Sequence, residues 1–366
     1  MRAYLLTADL HYGAGFMLHT ASSGPVPHLS ALYLRLAEGG MTGIGEVRTN
    51  IAYLNGLSDD QVVAAARRAV GTVDWGRTPE ELLATMGAWA ADVIAPVRML
   101  IDMALQDLVA RRQAVSVAAR HGASGQSQAW KTNQTLFWSS LEAFVAKAEG
   151  YVERGFTDLK LRVAVGGIDE DLARLAALRS RFGGGVTLAV DANGQWPVSV
   201  ALDRVKALAE YGLAYVEQPV PAGDWAAIDR LAAHSPVPVM LDEGVSSPDD
   251  LGRICGYEGR ILAHLKLVKL GGIGPTVAAA RMLAAAGVPF MVGQMNEGGA
   301  ATAAALHVAL ATEPAFAELY GADGLVDDPV AGVAYGAGTV RTDSPTGLGV
   351  SFDPAAASFI GEFGHG

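Results

Sequence analysis

The chain of 366 residues has a single cysteine, Cys255, so no internal disulfide can staple it. It is also short of positive charge: 27 lysines and arginines face 38 acids, a net charge of −11. A surface of that sign releases no counterions from nucleic acid and does not settle on an anionic membrane, which excludes both as expected partners. Charged residues of either sign make up only 18% of the chain against 51% hydrophobic, enough apolar material for a large core and too much for disorder. Apolar runs of transmembrane length are missing. The opening Met1-Arg2-Ala3-Tyr4-Leu5-Leu6-Thr7-Ala8-Asp9 breaks off too soon for a signal-peptide core. The expectation is a cytoplasmic, globular protein that acts on small molecules.

What is present is a recurring acid. Asp191 ends Leu-Ala-Val-Asp, Glu217 ends Ala-Tyr-Val-Glu, and Asp242 ends Val-Met-Leu-Asp. The next interval ends on Lys266 in His-Leu-Lys. Gaps of about 24 to 26 residues match one strand, one loop and one helix of a (β/α) barrel, whose chemistry sits at the C-terminal ends of its strands. Three carboxylates converging there repel one another unless neutralised, and one Mg²⁺ is the expected neutraliser. Lys266 stands beside it in a context too apolar for a surface lysine.

The length suits a barrel with roughly 110 to 120 residues to spare. Residues 1–125 read as an α+β domain: an apolar run at 32–36, Gly39-Gly40, a second run at 42–47, and a helix that Ser58-Asp59-Asp60 begins. Strand and helix then alternate over 126–325, with barrel strands expected near 129–138, 158–164, 186–193, 214–219, 238–244, 261–269, 289–295 and 316–321. Helices fall between them, at 169–181, 199–211, 225–233 and 276–286 among others. The tail, 326–366, is expected to pack back on the N-terminal unit.

This pattern resembles the enolase superfamily, and Leu159-Lys160-Leu161-Arg162 with Lys266-Leu267-Val268-Lys269-Leu270-Gly271-Gly272 resembles its muconate-lactonizing-enzyme subgroup. The resemblance spans nearly the whole chain. It implies an N-terminal α+β capping domain on a modified (β/α)₇β barrel, Asp191, Glu217 and Asp242 as ligands of one Mg²⁺, and Lys266 as the base that takes a proton from the carbon next to a carboxylate. Lys160 and Arg162 join the catalytic set. Asn193 either holds a ligand carboxylate or shapes its turn. Glu243, next to a ligand on an alternating strand, is expected to point the other way and to support the site from behind the ligands or serve the structure alone. His264 reads as a packing histidine and Lys269 as a support for its loop. A homo-oligomer is expected by the same resemblance.

Arg162 departs from the subgroup, which carries a second lysine there. Arginine keeps its proton and makes a poor base. Racemases and epimerases of this type need a base on each face, whereas β-elimination needs one, so the expected reaction is dehydration of a β-hydroxy amino acid of the cis-3-hydroxyproline type. The alternatives are a racemase or epimerase of an amino-acid derivative (a proline betaine, an N-acyl amino acid or a dipeptide) and a non-catalytic carboxylate-binding barrel. Candidate substrate contacts are Met17, Leu18, His19, Tyr53, Asn133, Thr135, Phe137, Gln294, Asn296 and Tyr320. Together they suggest a small, partly aromatic pocket not dense in cations, in which Tyr53 and Tyr320 face a ring ammonium.

Overall fold

A computed structural model describes residues 1–13, 17–20, 22–124 and 127–364. The expected boundary between 125 and 126 lies outside the described residues. No helix among them is long and apolar enough to cross a membrane.

The N-terminal part is built on a four-stranded antiparallel sheet. Leu29–Glu38 and Met41–Arg48 form its hairpin, and Gly39-Gly40 turns it with positive φ at both positions, as a two-residue turn between twisted strands requires. Arg2–Leu10 pairs with the hairpin on one side and with the C-terminal strand Ser358–Phe363 on the other. Against this sheet lies the helix Ala95–Arg112, buried on nearly every face. It comes close because strand 41–48 carries Gly43 and Gly45, where a Cβ would strike the helix backbone.

The rest is a modified (β/α)₇β barrel of eight parallel strands, each but the last followed by helix. The strands are Gln134–Leu136, Asp158–Arg162, Thr187–Asp191, Leu213–Glu217, Val239–Leu241, Ile261–Lys266, Phe290–Gly293 and Phe316–Glu318. The barrel is nearly closed, with the Asn133 N–H donating to the Ala317 carbonyl across the seam. The first barrel strand is shorter than the expected 129–138. Ala129–Lys131 pairs instead with Thr339–Thr342 in a separate three-stranded sheet, and only 134–136 enters the barrel.

Buried carboxylates of the N-terminal part satisfy the orphan N–H groups of barrel elements. Glu46 accepts from Gly298 (2.6 Å), Ala300 (2.9 Å) and Ala301 (3.0 Å) at the start of the helix Gly299–Thr312. Asp102 does the same for Ile273 at 2.6 Å, where the helix Ile273–Ala285 begins. Removing such an acceptor strands several buried donors, so Glu46→Ala is expected to cost about 2 to 3 kcal/mol in denaturant unfolding, and Glu46→Gln less. An Ala variant with a wild-type midpoint would contradict this role.

Candidate active site

Alternation along the barrel strands sorts the interior into layers. Ala189, Tyr215, Met240, Leu262 and Met291, with Phe316 packed on them, form an apolar plug inside the barrel. The next inward positions, two residues on, are Asp191, Glu217, Asp242, His264, Gly293 and Glu318, with Lys160 and Arg162 from strand two. The intervening Leu188, Val190, Val216, Leu241 and Leu265 face the helices and belong to the outer core. The register sets the acids side by side: Asp191 is opposite Arg162 on one side and Glu217 on the other.

The polar layer is a closed charge network. Lys160 lies 2.8 Å from Glu217 and 3.6 Å from Asp191, and it also contacts Glu318. Arg162 pairs with Asp191. Lys266 Nζ sits 2.5 Å from Asp242 Oδ2, and Lys269 Nζ sits 2.7 Å from Oδ1 of the same carboxylate. His264 Nδ1 is 2.9 Å from Glu217 Oε1, which sets the tautomer with Nδ1–H donating and leaves Nε2 without a partner among the described residues. Gly293 makes this possible, since a Cβ there would collide with the imidazole.

Burial penalises every one of these charges, and the pairing outweighs it at most of them. Glu217 would be pushed up by burial, but Lys160 and His264 hold it below the usual carboxylate range. Lys266 and Lys269 do the same for Asp242, and Lys160 for Glu318. Burial pulls Lys160 and Lys266 down, yet Glu217 and Glu318 raise the first and Asp242 raises the second. Burial does dominate at Lys269 and His264, both lowered, and at Glu243, which is raised.

A tight cavity opens on this network. Arg162, Asn193, Asp242, Glu243, Lys266, Gln294 and Asn296 line it from the barrel, and Leu18, Arg48 and Tyr53 from the N-terminal part. Glu243 was expected to point away; strand five ends at Leu241, so alternation no longer holds and both acids reach the cavity. Asn193 takes both of its expected roles. Its φ of 46° makes the turn, its N–H donates to Asp191 at 2.8 Å, and its amide reaches Asp191 at 3.4 Å and Glu243 at 3.3 Å.

Other sequence candidates lie elsewhere. Met17 and His19 line a neighbouring hollow with Trp138. Asn133 and Thr135 reach Glu318 at 3.3 and 3.5 Å. Tyr320 is buried, its hydroxyl 3.4 Å from Asn296 Oδ1 and its ring edge-on to Phe137. The cavity is partly aromatic as expected, through Tyr53 and Phe137, but Tyr320 does not line it, and the expected scarcity of cations is corrected, because Arg48, Arg162 and Lys266 line it too. Sequence reasoning passed over Glu318, Arg48 and the ligand capacity of His264. Glu318 carries the same signal as the other acids, ending the short run Phe-Ala-Glu.

The donor set fits a hard divalent cation. Five carboxylates, Asp191, Glu217, Asp242, Glu243 and Glu318, face only four cations, Lys160, Arg162, Lys266 and Lys269, so the network has room for further positive charge. Among the described residues, Glu217, His264 and Glu318 place ligand atoms within 4.8 Å of one another. That buried acidic and histidine cluster fits a metal site, and Asp191 and Asp242 flank it. Because Lys160 compensates three of the acids, Lys160→Met should destabilise the metal-free protein by about 3 to 5 kcal/mol. Unchanged denaturant unfolding would show that the network does not depend on it.

Comparison with known proteins agrees with this architecture. Residues 143–356 match the family model "Enolase C-terminal domain-like". The L-Ala-D/L-Glu epimerase of Escherichia coli is 31% identical over 94% of this chain and 95% of its own. A chloromuconate cycloisomerase of Pseudomonas putida is 31% identical over 69% of this chain and 70% of its own. A dipeptide epimerase from Cytophaga hutchinsonii, solved with Mg and the dipeptide D-Ala-L-Val, superposes with a TM-score of 0.88 at 22% identity, covering 100% of this chain and 99% of that one. With the barrel, the strand-end acids and these relatives in agreement, the chain belongs to the enolase superfamily, in its muconate-lactonizing-enzyme-like group.

Proposed function

We propose that the chain is a Mg²⁺-dependent isomerase that removes the proton next to the carboxylate of a small amino-acid derivative, such as a dipeptide or an N-acyl amino acid. The observation that carries this reading is that Lys266 and Arg162 line one cavity from strands six and two, on either side of the row of acids on strands three to five. The dehydration expected from the sequence gives way to isomerisation, because the relatives are epimerases and cycloisomerases by name.

Asp191, Glu217 and Asp242 would hold the ion, in preference to the Glu217, His264 and Glu318 set, because Asp242 lies on the cavity wall where a substrate carboxylate can approach, and neither His264 nor Glu318 lines it. When bound, Mg²⁺ supplies positive charge that stabilises the negative charge building on that carboxylate. Lys266 takes the proton. Its pairing with Asp242 raises its pKa in the metal-free state, so the base becomes competent when Asp242 is shared and the ammonium loses part of its partner. Arg162 keeps its proton: burial lowers it, but Tyr320, Glu318 and Glu217 hold it above even the usual arginine range. Its part is to stabilise charge on the second face.

Lys266→Ala should lose turnover by about 10² to 10⁴ while still binding Mg²⁺, and EDTA should silence the wild type reversibly. In D₂O, wild type should exchange the α-proton faster from the enantiomer that presents it to Lys266, and Arg162→Lys should narrow the difference. Inversion accompanying exchange identifies an epimerase. Exchange with strict retention identifies the second reading, a one-face isomerisation such as ring closure, which the fixed charge of Arg162 favours. Full exchange by Lys266→Ala would remove the base assignment altogether.

A further inference from the structure

Every buried lysine or arginine among the described residues has a carboxylate within 4.0 Å except one. Lys160, Arg162, Arg174 and Lys266 are all paired. Arg48 is 1% exposed and has no such partner. Its guanidinium is held by neutral oxygens: Nε–H donates to Asn50 Oδ1 at 2.6 Å, and the two terminal nitrogens donate to the carbonyls of Asn296 at 3.2 Å and Asn50 at 3.3 Å. Three of five N–H groups are thereby used, which leaves two without an acceptor among the described residues. Burying a cation without a counter-charge is costly, and a guanidinium fork suits a carboxylate in particular.

Position gives this charge a use. Arg48 ends the strand Met41–Arg48 and lines the cavity from the N-terminal side, among the apolar Leu18, Val26 and Leu54, whereas Lys266, Arg162 and Asp242 line it from the barrel. The nearby Glu297 makes no salt bridge with it. That carboxyl is pushed up to about 7 by burial, against the pull of Arg48, and it lies outside salt-bridge distance.

We infer that Arg48 is a specificity residue that receives a second carboxylate of the substrate, remote from the carbon that loses its proton. This rests on the reading proposed above and narrows it. The substrate class is a dianion, an N-acyl amino acid or dipeptide bearing a further carboxyl group.

The test compares N-succinyl-L-alanine, N-glutaryl-L-alanine and L-alanyl-L-glutamate, each with the analogue whose remote carboxylate is an amide. Binding is measured by calorimetry with Mg²⁺, and α-proton exchange by NMR in D₂O, for wild type, Arg48→Gln and Arg48→Lys. At least one diacid should bind wild type about tenfold or more tightly than its amide, as a charge-assisted bidentate contact implies. The preference should fall to within about twofold in Arg48→Gln and persist in part in Arg48→Lys. Equal binding of every acid and amide by wild type overturns the inference, as does an undiminished preference in Arg48→Gln. If Arg48→Gln does not fold, the wild-type pairs and Arg48→Lys decide: no preference in wild type, or its complete loss in Arg48→Lys despite the retained charge, counts against a carboxylate contact. Diacid preference without exchange would contradict the proton-abstraction reading alone, and exchange without preference would contradict the role of Arg48 alone.

Discussion

Five carboxylates gathered at one end of a barrel can exist only if their charge is compensated within a few ångströms. Below them the apolar plug of Ala189, Tyr215, Met240, Leu262 and Met291 excludes water, which strengthens every nearby interaction and raises the cost of an unpaired ion. Lys160 answers Glu217, Asp191 and Glu318 at once, and Lys266 with Lys269 answers Asp242. The same pairing that makes the fold tolerable keeps Lys266 protonated when nothing else shares Asp242. Structure and chemistry thus compete for one set of charges. A divalent cation bound there would tilt the competition toward chemistry.

The N-terminal part and the barrel are joined by the same kind of interaction used for a different end. Glu46 and Asp102 accept from the starts of two barrel helices, and Asp107 ties the helix Ala95–Arg112 to strand 41–48 and to the C-terminal tail by accepting from Ile44 at 3.0 Å and Leu348 at 2.7 Å. Oriented N–H groups make favourable partners for buried acids. These anchors seat strand 41–48 over the barrel mouth, and the last residue of that strand is Arg48, which reaches the cavity. Charge compensation inside the barrel sets the reaction, and capping between the units sets the wall opposite it.

Much of this was legible in the sequence, for physical reasons. A strand buried on both faces shows as an apolar run, so an acid ending one stands out, and three at barrel spacing give the fold as well as the site. Glu318 carries the same mark, but its strand is only three residues long and, within an expected strand at 316–321, Glu318 does not stand at the end. Residues 129–131 and 134–136 have similar β-forming residues and read as one strand in sequence, while what separates them is their pairing with different sheets. The expected strand five runs to 244 but the strand stops at Leu241, three residues sooner, so strand alternation does not govern Glu243. Arg48 was invisible for a deeper reason: its burial without a counter-charge arises from chain segments some 250 residues apart, Arg48 and Asn296, which no local pattern reports.

The central claim is that the strand-end acids surrender their lysines to one divalent ion. A crystal structure of the protein with Mn²⁺, located by anomalous scattering, tests it most directly. The account predicts one ion bound by carboxylate oxygens of Asp191, Glu217 and Asp242, with Lys266 drawn off Asp242 and facing the cavity. An ion held instead by Glu217, His264 and Glu318, with Lys266 still on Asp242, would contradict it.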